Sequence, residues 1–341
     1  MNNDQRLQQL KNWLTQHFNS DQSTECFSLT VASADASFRR YFRVHYNSTT
    51  MIAMDAPPDK EDCAPFVTIA KQLVNAGIHA PEILAEDHDQ GFLLLSDLGD
   101  TQYLSVLDKN SADALYKDAI DTIIHIQSVS HDKLPAYDRT LLQTEMQLFI
   151  NWFLQQHLGL TLSDEQLKNL KLSFECLIEN SLQQPQVFVH RDYHSRNLMQ
   201  IDDNNPGVID FQDAVSGAAT YDLASLLKDC YISWPRQQVE NWVDYYLQQA
   251  YEKNLIDRSF TLDDVLLWFD LMAAQRHLKA IGIFARLNIR DNKPGYLKDI
   301  PRTFSYLIDS CERYPLLAPL KSVLHELNIA EKLGLEWKPL P

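Results

Sequence analysis

The sequence predicts an α+β protein in which a small antiparallel sheet is followed by a larger, mainly helical region. Two observations carry this. Between residues 27 and 95 short apolar runs alternate with turn residues, whereas from residue 103 onward the apolar residues recur at helical spacing. A third observation sets the exception: apolar runs at 187–189, 198–201 and 208–209, separated by polar loops, place a small hairpin inside the helical region. The expected division is 1–98 for the sheet domain and 99–341 for the helical one.

Taken in order, residues 4–18 present Leu7, Leu10, Trp13, Leu14 and Phe18 at helical spacing, an amphipathic opening helix. Strands are expected over 27–31, 41–46 and 51–54, with a polar loop from Ala32 to Arg40 between the first two. Residues 61–76 carry Phe66, Ile69, Ala70, Leu73 and Val74 on one face and end at Gly77, a helix with a glycine stop. Strands at 81–85 and 91–95 follow, and the run from Ser96 to Asp100 breaks the pattern. Helices are then expected over 103–109, 111–129, 140–157 and 163–182. After the hairpin, further helices are expected over 220–231, 237–252 and 261–289, with two more at the C-terminal end.

Composition narrows the function classes. The chain has 341 residues, 45% hydrophobic and 22% charged, as in ordinary globular proteins. A formal net charge of −16 argues against a nucleic-acid partner, which needs a basic face. No apolar run reaches the roughly 20 residues of a membrane span, and the polar start lacks a secretory core, so a cytoplasmic protein is expected. The cysteines at 26, 63, 176, 230 and 311 are odd in number and scattered, which reads as reduced thiols rather than a disulfide or zinc framework.

The hairpin holds the chemistry. Val187 to Val189 delivers His190, Arg191 and Asp192 into a loop closed by Asn197, where a second apolar run, 198–201, begins, and residues 208–209 pair back as a hairpin whose far strand ends in Asp210, followed by Phe211. Phosphoryl transfer from ATP needs a carboxylate to receive the attacking hydroxyl's proton and hard oxygen ligands to hold Mg²⁺. The order His-Arg-Asp, four residues, Asn, then Asp-Phe supplies both. It makes Asp192 the catalytic candidate and Asn197 and Asp210 the metal candidates. Two departures from the protein-kinase pattern stand out. The loop at 32–40 has no glycine, and the strand ending at Met54 and Asp55 has no lysine for the phosphates. Backbone N–H groups and the Ser37 hydroxyl, beside Phe38, with charge from Arg39, Arg40 and Arg43, are the expected replacements. Main chain at Ser96, Asp97 and Leu98 is expected to meet the adenine edge.

The stretch His190 to Asn197, with Tyr193, His194, Ser195 and Arg196 inside it, resembles the loop of aminoglycoside phosphotransferase-like small-molecule kinases. Further stretches at 34–43, 54–58, 208–213, 221–227 and 273–284 are similar to bacterial anomeric kinases of cell-wall amino sugars within that family. The resemblance implies a bilobal protein-kinase-like fold and ATP-dependent phosphorylation of the anomeric hydroxyl of N-acetylmuramate or N-acetylglucosamine. It also implies Asp222 as a brace of the catalytic loop and adds Arg196 and Asp213 to the sugar-side candidates. His194 reads as loop bracing or chemistry, Asp55 as a sugar contact or a turn carboxylate, and Trp234 as a sugar wall or core. Arg276, His277 and Lys279 share a helix whose polar stripe the resemblance turns toward the substrate rather than solvent. A same-class rival is an aminoglycoside-inactivating kinase, disfavoured by the weakly acidic C-terminal end. The rival of another class is an inactive nucleotide-binding scaffold, which the missing lysine suggests and the retained Asp192, Asn197 and Asp210 oppose.

Overall fold

The computed structural model describes residues 4–19, 27–34 and 38–339. The chain forms two compact units, one from Met1–Thr101 with Met199–Asp213, the other from Gln102–Leu198 with Ala214–Pro341. The α+β class read from the sequence is the class observed.

The first unit is a five-stranded antiparallel sheet in the order β1-β2-β3-β5-β4, from β1 (Ser28–Ala34), β2 (Arg40–Tyr46), β3 (Thr49–Asp55), β4 (Ile83–Asp87) and β5 (Phe92–Ser96). Helix α1 (Gln5–Asn19) lays Leu10, Leu14 and Phe18 on Phe42, Val44, Ala53, Phe92 and Leu94 of that sheet. Its stripe is therefore buried because strand residues two apart share a face. Helix α2 (Ala64–Asn75) packs Phe66 against Phe211, with ring centroids 4.9 Å apart. The segment that carries Asp210 is held to this unit by backbone groups as well. Val208 N donates to His79 O at 2.8 Å, and Asn204 Nδ2 donates to Gly77 O at 3.1 Å.

The second unit contains α3 (Tyr103–Val106), α4 (Ala112–Gln127), α5 (Arg139–Leu148) and α6 (Asp164–Gln183). Strand β6 (Gln186–Val189) follows; next along the chain β7 (Leu198–Met199) and β8 (Gly207–Val208), of which Met199 and β8 belong to the first unit, make a short ladder of their own. Then come β9 (Val215–Ala218), α7 (Tyr221–Leu227), α8 (Arg236–Glu252), α9 (Leu262–Asp291) and α10 (Ile300–Arg313), before α11 (Ala318–Glu326) and α12 (Ile329–Lys332). The 30-residue α9, opened by a Thr261/Asp264 capping box, is buried along most of its length by α5, α6, α7, α8 and α10.

Four elements differ from expectation. β6 pairs with β9 in antiparallel register, Val187 opposite Gly217 and Val189 opposite Val215. The run Val215 to Ala218 was not read as a strand because its small residues lack alternation. The helix expected over 140–157 changes to a π-helix at Phe149–His157. Its apolar residues Phe149, Ile150, Phe153 and Leu154 suit either winding, so periodicity alone does not separate them. The helix expected to reach residue 231 stops at Leu227, and the C-terminal end holds three helices rather than two. Among the described residues no helix is long and apolar enough to cross a membrane. Cys63, Cys230 and Cys311 are buried free thiols and Cys176 a partly buried one, while Cys26 lies outside the described residues.

Candidate active site

Backbone strain marks the hairpin. Seven non-glycine residues adopt positive φ among the described residues, and five of them are asparagines, which tolerate it. The other two are Arg191, at φ 79°, and Asp210, at φ 66°. Such conformations persist only where the surroundings over-determine them, and they gather at functional positions.

In the second unit β6 runs into His190, and two carboxylates fix the loop that follows. Asp222, buried at the first turn of α7, accepts the His190 N–H at 2.7 Å and the Arg191 N–H at 3.0 Å. Burial pushes its carboxyl up to about 7 against the pull of those two donors. Asp229, also buried, accepts from Ser195 N at 3.0 Å and Ser195 Oγ at 2.5 Å, and its other oxygen accepts Tyr231 N at 2.9 Å. Asp229 was missed from the sequence, where it sits beside Lys228 in an otherwise apolar run. Within the loop Asn197 Nδ2 donates to the Asp192 carbonyl at 2.9 Å, and Asn197 N donates to His194 O at 2.8 Å.

Asp192 stands partly buried in a field of cations. Burial alone would disfavour its charge, yet Lys279, His194, Arg276 and Arg191 hold the carboxyl below its ordinary range. Burial depresses His194, whose ring stands edge-on to Tyr231 at 5.4 Å. Arg196 lies with its guanidinium carbon 3.6 Å from the centroid of the same tyrosine ring.

The polar residues of α9 are buried rather than solvated. Lys279 Nζ lies 3.1 Å from Glu145 Oε1 and donates to Tyr221 OH at 3.2 Å. Arg276 sits over the Tyr221 ring at 5.3 Å. His277 stacks on Tyr306 at 4.8 Å, its Nε2 2.9 Å from Lys228 O, and burial depresses its pKa to about 3. Trp234 donates Nε1 to Tyr116 OH at 2.8 Å and packs edge-on against Tyr116 and Trp242.

In the first unit the candidate arginines divide by face. Arg40, directly opposite Asp55 in the β2–β3 register, donates Nε to it at 3.0 Å, and Arg6 Nε reaches the same carboxylate at 3.1 Å. Asp55 is fully buried, so these two guanidinium groups compensate its charge at the α1 side of the sheet. Arg43 forks onto Asp97, Nε to Oδ2 at 2.6 Å, and donates to Gly99 O at 2.8 Å. Burial opposes the Asp97 charge, but the Arg43 bond brings its carboxyl below the ordinary range. Arg39 pairs with Glu61 at 2.9 Å. Phe38 is exposed, Leu98 is buried, and Ser96 Oγ accepts Glu82 N at 2.9 Å. Asp210 Oδ1 accepts Gln212 Nε2 at 2.9 Å, and Asp213 is exposed. Ser37 lies outside the described residues.

The pattern of the phosphotransferase enzyme family (APH) matches residues 28–259, which spans the sheet, the loop at 190–197 and Asp210. The chain belongs to this family. Among its relatives, the N-acetylmuramate/N-acetylglucosamine kinase of Pseudomonas aeruginosa is 47% identical over 335 residues, 96% of this chain and 98% of its own. The enzyme of the same name from Neisseria meningitidis is 40% identical over 338 residues, again 96% of this chain and 98% of its own. The ADP-bound aminoglycoside phosphotransferase APH(2'')-Ib is similar in fold, with a TM-score of 0.56 at 15% identity, covering 87% of this chain and 98% of that one. The phosphotransferase is thus an enzyme with the protein-kinase-like fold of its family.

Proposed function

We propose that this phosphotransferase uses ATP to phosphorylate the anomeric hydroxyl of N-acetylmuramate and N-acetylglucosamine, giving the sugar 1-phosphate in the cytoplasm as a step of cell-wall sugar recycling. The observation that carries the substrate is its whole-length likeness to kinases bearing that name. In this reading Asp192 receives the proton of the sugar hydroxyl while the new O–P bond forms and the bond from the γ-phosphorus to ADP breaks. A carboxyl held below its usual range is a weak base, but the anomeric hydroxyl is more acidic than an ordinary alcohol because the ring oxygen withdraws charge. Asp192 therefore has to orient the hydroxyl and collect its proton late in the transfer.

The side chains of Asn197 and Asp210 offer hard oxygen donors, which fit Mg²⁺ better than a softer ion. Bound there, Mg²⁺ would offset phosphate charge. Asp222 and Asp229 hold the loop main chain, so the positions of Asp192 and Asn197 are set by groups that take no part in the transfer. Arg43 and Arg39 are the cations assigned to the phosphates. Arg40 is assigned to Asp55, and Asp55 with it to the sheet rather than to the sugar.

The test is a kinase assay over N-acetylmuramate, N-acetylglucosamine, glucose and kanamycin, with the phosphorylated position read by NMR. Phosphate at the anomeric oxygen of the two amino sugars is the expected result. Turnover of kanamycin alone, or phosphate at another hydroxyl, contradicts the proposal.

A further inference from the structure

Glu145 is the buried centre of the cation cluster behind Asp192. It lies on α5 and is 6% exposed. Its Oε1 accepts Nη2 of Arg191 and pairs with Lys279 Nζ at 3.1 Å, while Oε2 accepts the Tyr137 hydroxyl. The Tyr137 oxygen lies 3.3 Å from Tyr221 OH, the oxygen that Lys279 also reaches. One carboxylate thus serves two cations from different elements, the catalytic loop and α9.

Helix packing makes this possible. Leu148 follows Glu145 by one turn of α5, and Gly282 follows Lys279 by one turn of α9. A Cβ on Gly282 would lie 2.4 Å from the Leu148 carbonyl carbon, so only glycine allows the approach that seats the Lys279 ammonium on Glu145. At the loop, the left-handed backbone of Arg191, at φ 79°, is strained and needs anchoring. Asp222 anchors its N–H and Glu145 its guanidinium. The next residue is Asp192.

We propose that Glu145 is a positioning residue for phosphoryl transfer, clamping Arg191 so that Asp192 is presented from a fixed peptide, and holding the Lys279 ammonium away from the Asp192 carboxylate. The inference rests on the reading of Asp192 as proton acceptor. With Glu145 neutralised, Lys279 and Arg191 lose their carboxylate, and Asp192 is an acid within electrostatic reach of both. An ammonium paired to Asp192 competes for the lone pair that must take the sugar proton.

The experiment compares Glu145→Gln, Glu145→Asp, Glu145→Gln/Lys279→Met and Asp192→Asn by kcat, by KM for ATP and sugar, and by thermal midpoint. Glu145→Gln is expected to lower kcat about tenfold to a hundredfold, the scale of a misplaced reacting group, with both KM values within about twofold. Glu145→Asp, which keeps the charge, falls between it and wild type. Removing the orphaned ammonium in the double variant restores part of the lost kcat, the remainder being the share of the unclamped Arg191. Should Glu145→Gln not fold, the Asp and double variants decide, and wild-type kcat in Glu145→Asp with no turnover in a folded double variant counts against the proposal. A folded Glu145→Gln with wild-type kcat overturns it, as does a kcat loss that the second substitution leaves untouched or that KM follows in step. If Asp192→Asn itself turns over normally, the proton-acceptor assignment has failed. If Asp192→Asn is inactive while Glu145→Gln is normal, only the role of Glu145 has.

Discussion

Asp229→Ala removes the acceptor of three donors at once. Ser195 N at 3.0 Å, Ser195 Oγ at 2.5 Å and Tyr231 N at 2.9 Å all end on its carboxylate. The Ser195 hydroxyl can rotate to another partner, but the two N–H groups cannot, and Ser195 is fully buried. An orphaned buried donor costs about 1–3 kcal/mol, so the Ser195 N–H alone gives a loss of that size, and the part-buried Tyr231 N–H adds less. Asp229→Asn retains one acceptor oxygen and should lose about half as much. Ser195 lies between His194 and Asn197, so the loosened loop should also lower kcat at least about tenfold, in line with the cost of misplacing a reacting group. Urea unfolding gives the stability order, wild type above Asn above Ala, and steady-state kinetics on the folded fraction gives kcat. An alanine variant within about 0.5 kcal/mol of wild type, with unchanged kcat, would refute the claim that Asp229 holds the loop.

Arg40→Ala strips a buried carboxylate of one of its two guanidinium partners, so stability should fall by about 1.5–3 kcal/mol while the KM for ATP stays constant. Arg39→Ala and Arg43→Ala should instead raise that KM; the reverse pattern would assign the phosphates to Arg40. Asp210→Ala is expected to weaken Mg·ATP binding and rate together, and calorimetry showing unchanged affinity in a folded variant would move the metal elsewhere. Asp270 gives a pH signature. Burial opposes its charge, but Lys228 at 2.8 Å and Arg236 at 2.7 Å bring its carboxyl down to about 2. Because the folded value lies below the unfolded one, its stabilisation is full above about pH 4 and is lost as pH falls toward 2. Thermal midpoints of Asp270→Asn should lack that acid dependence; a slope equal to wild type contradicts it.

What the sequence reveals follows from how far apart the interacting residues are. The stripe of α1, the five strands of the first unit and the long α9 announce themselves by local period, and all are present. The order of the residues from His190 to Asn197 and at Asp210 is local too, and it pointed to phosphoryl transfer before any geometry was known. Partners distant along the chain were not legible. Glu145 meets Arg191 across 46 residues and Asp229 meets Ser195 across 34, and nothing local distinguishes either acid from a surface one. Arg40 and Asp55 illustrate the converse: Arg40 reads as a phosphate contact and Asp55 as either a sugar contact or a turn carboxylate, and the strand register brings them opposite one another. The polar residues of α9 lie on a helix buried nearly all round, so their pattern could not tell a solvated stripe from a cluster paired inside.

The central claim is that Asp192 receives the sugar proton, and single-turnover transfer by Asp192→Asn, measured beside Mg·ATP affinity, tests it most directly. The substitution keeps shape and deletes the acceptor charge, so the rate of sugar phosphate formation should fall by about 10² or more while Mg·ATP affinity stays within about twofold. Transfer at the wild-type rate by a folded Asp192→Asn protein would contradict the account.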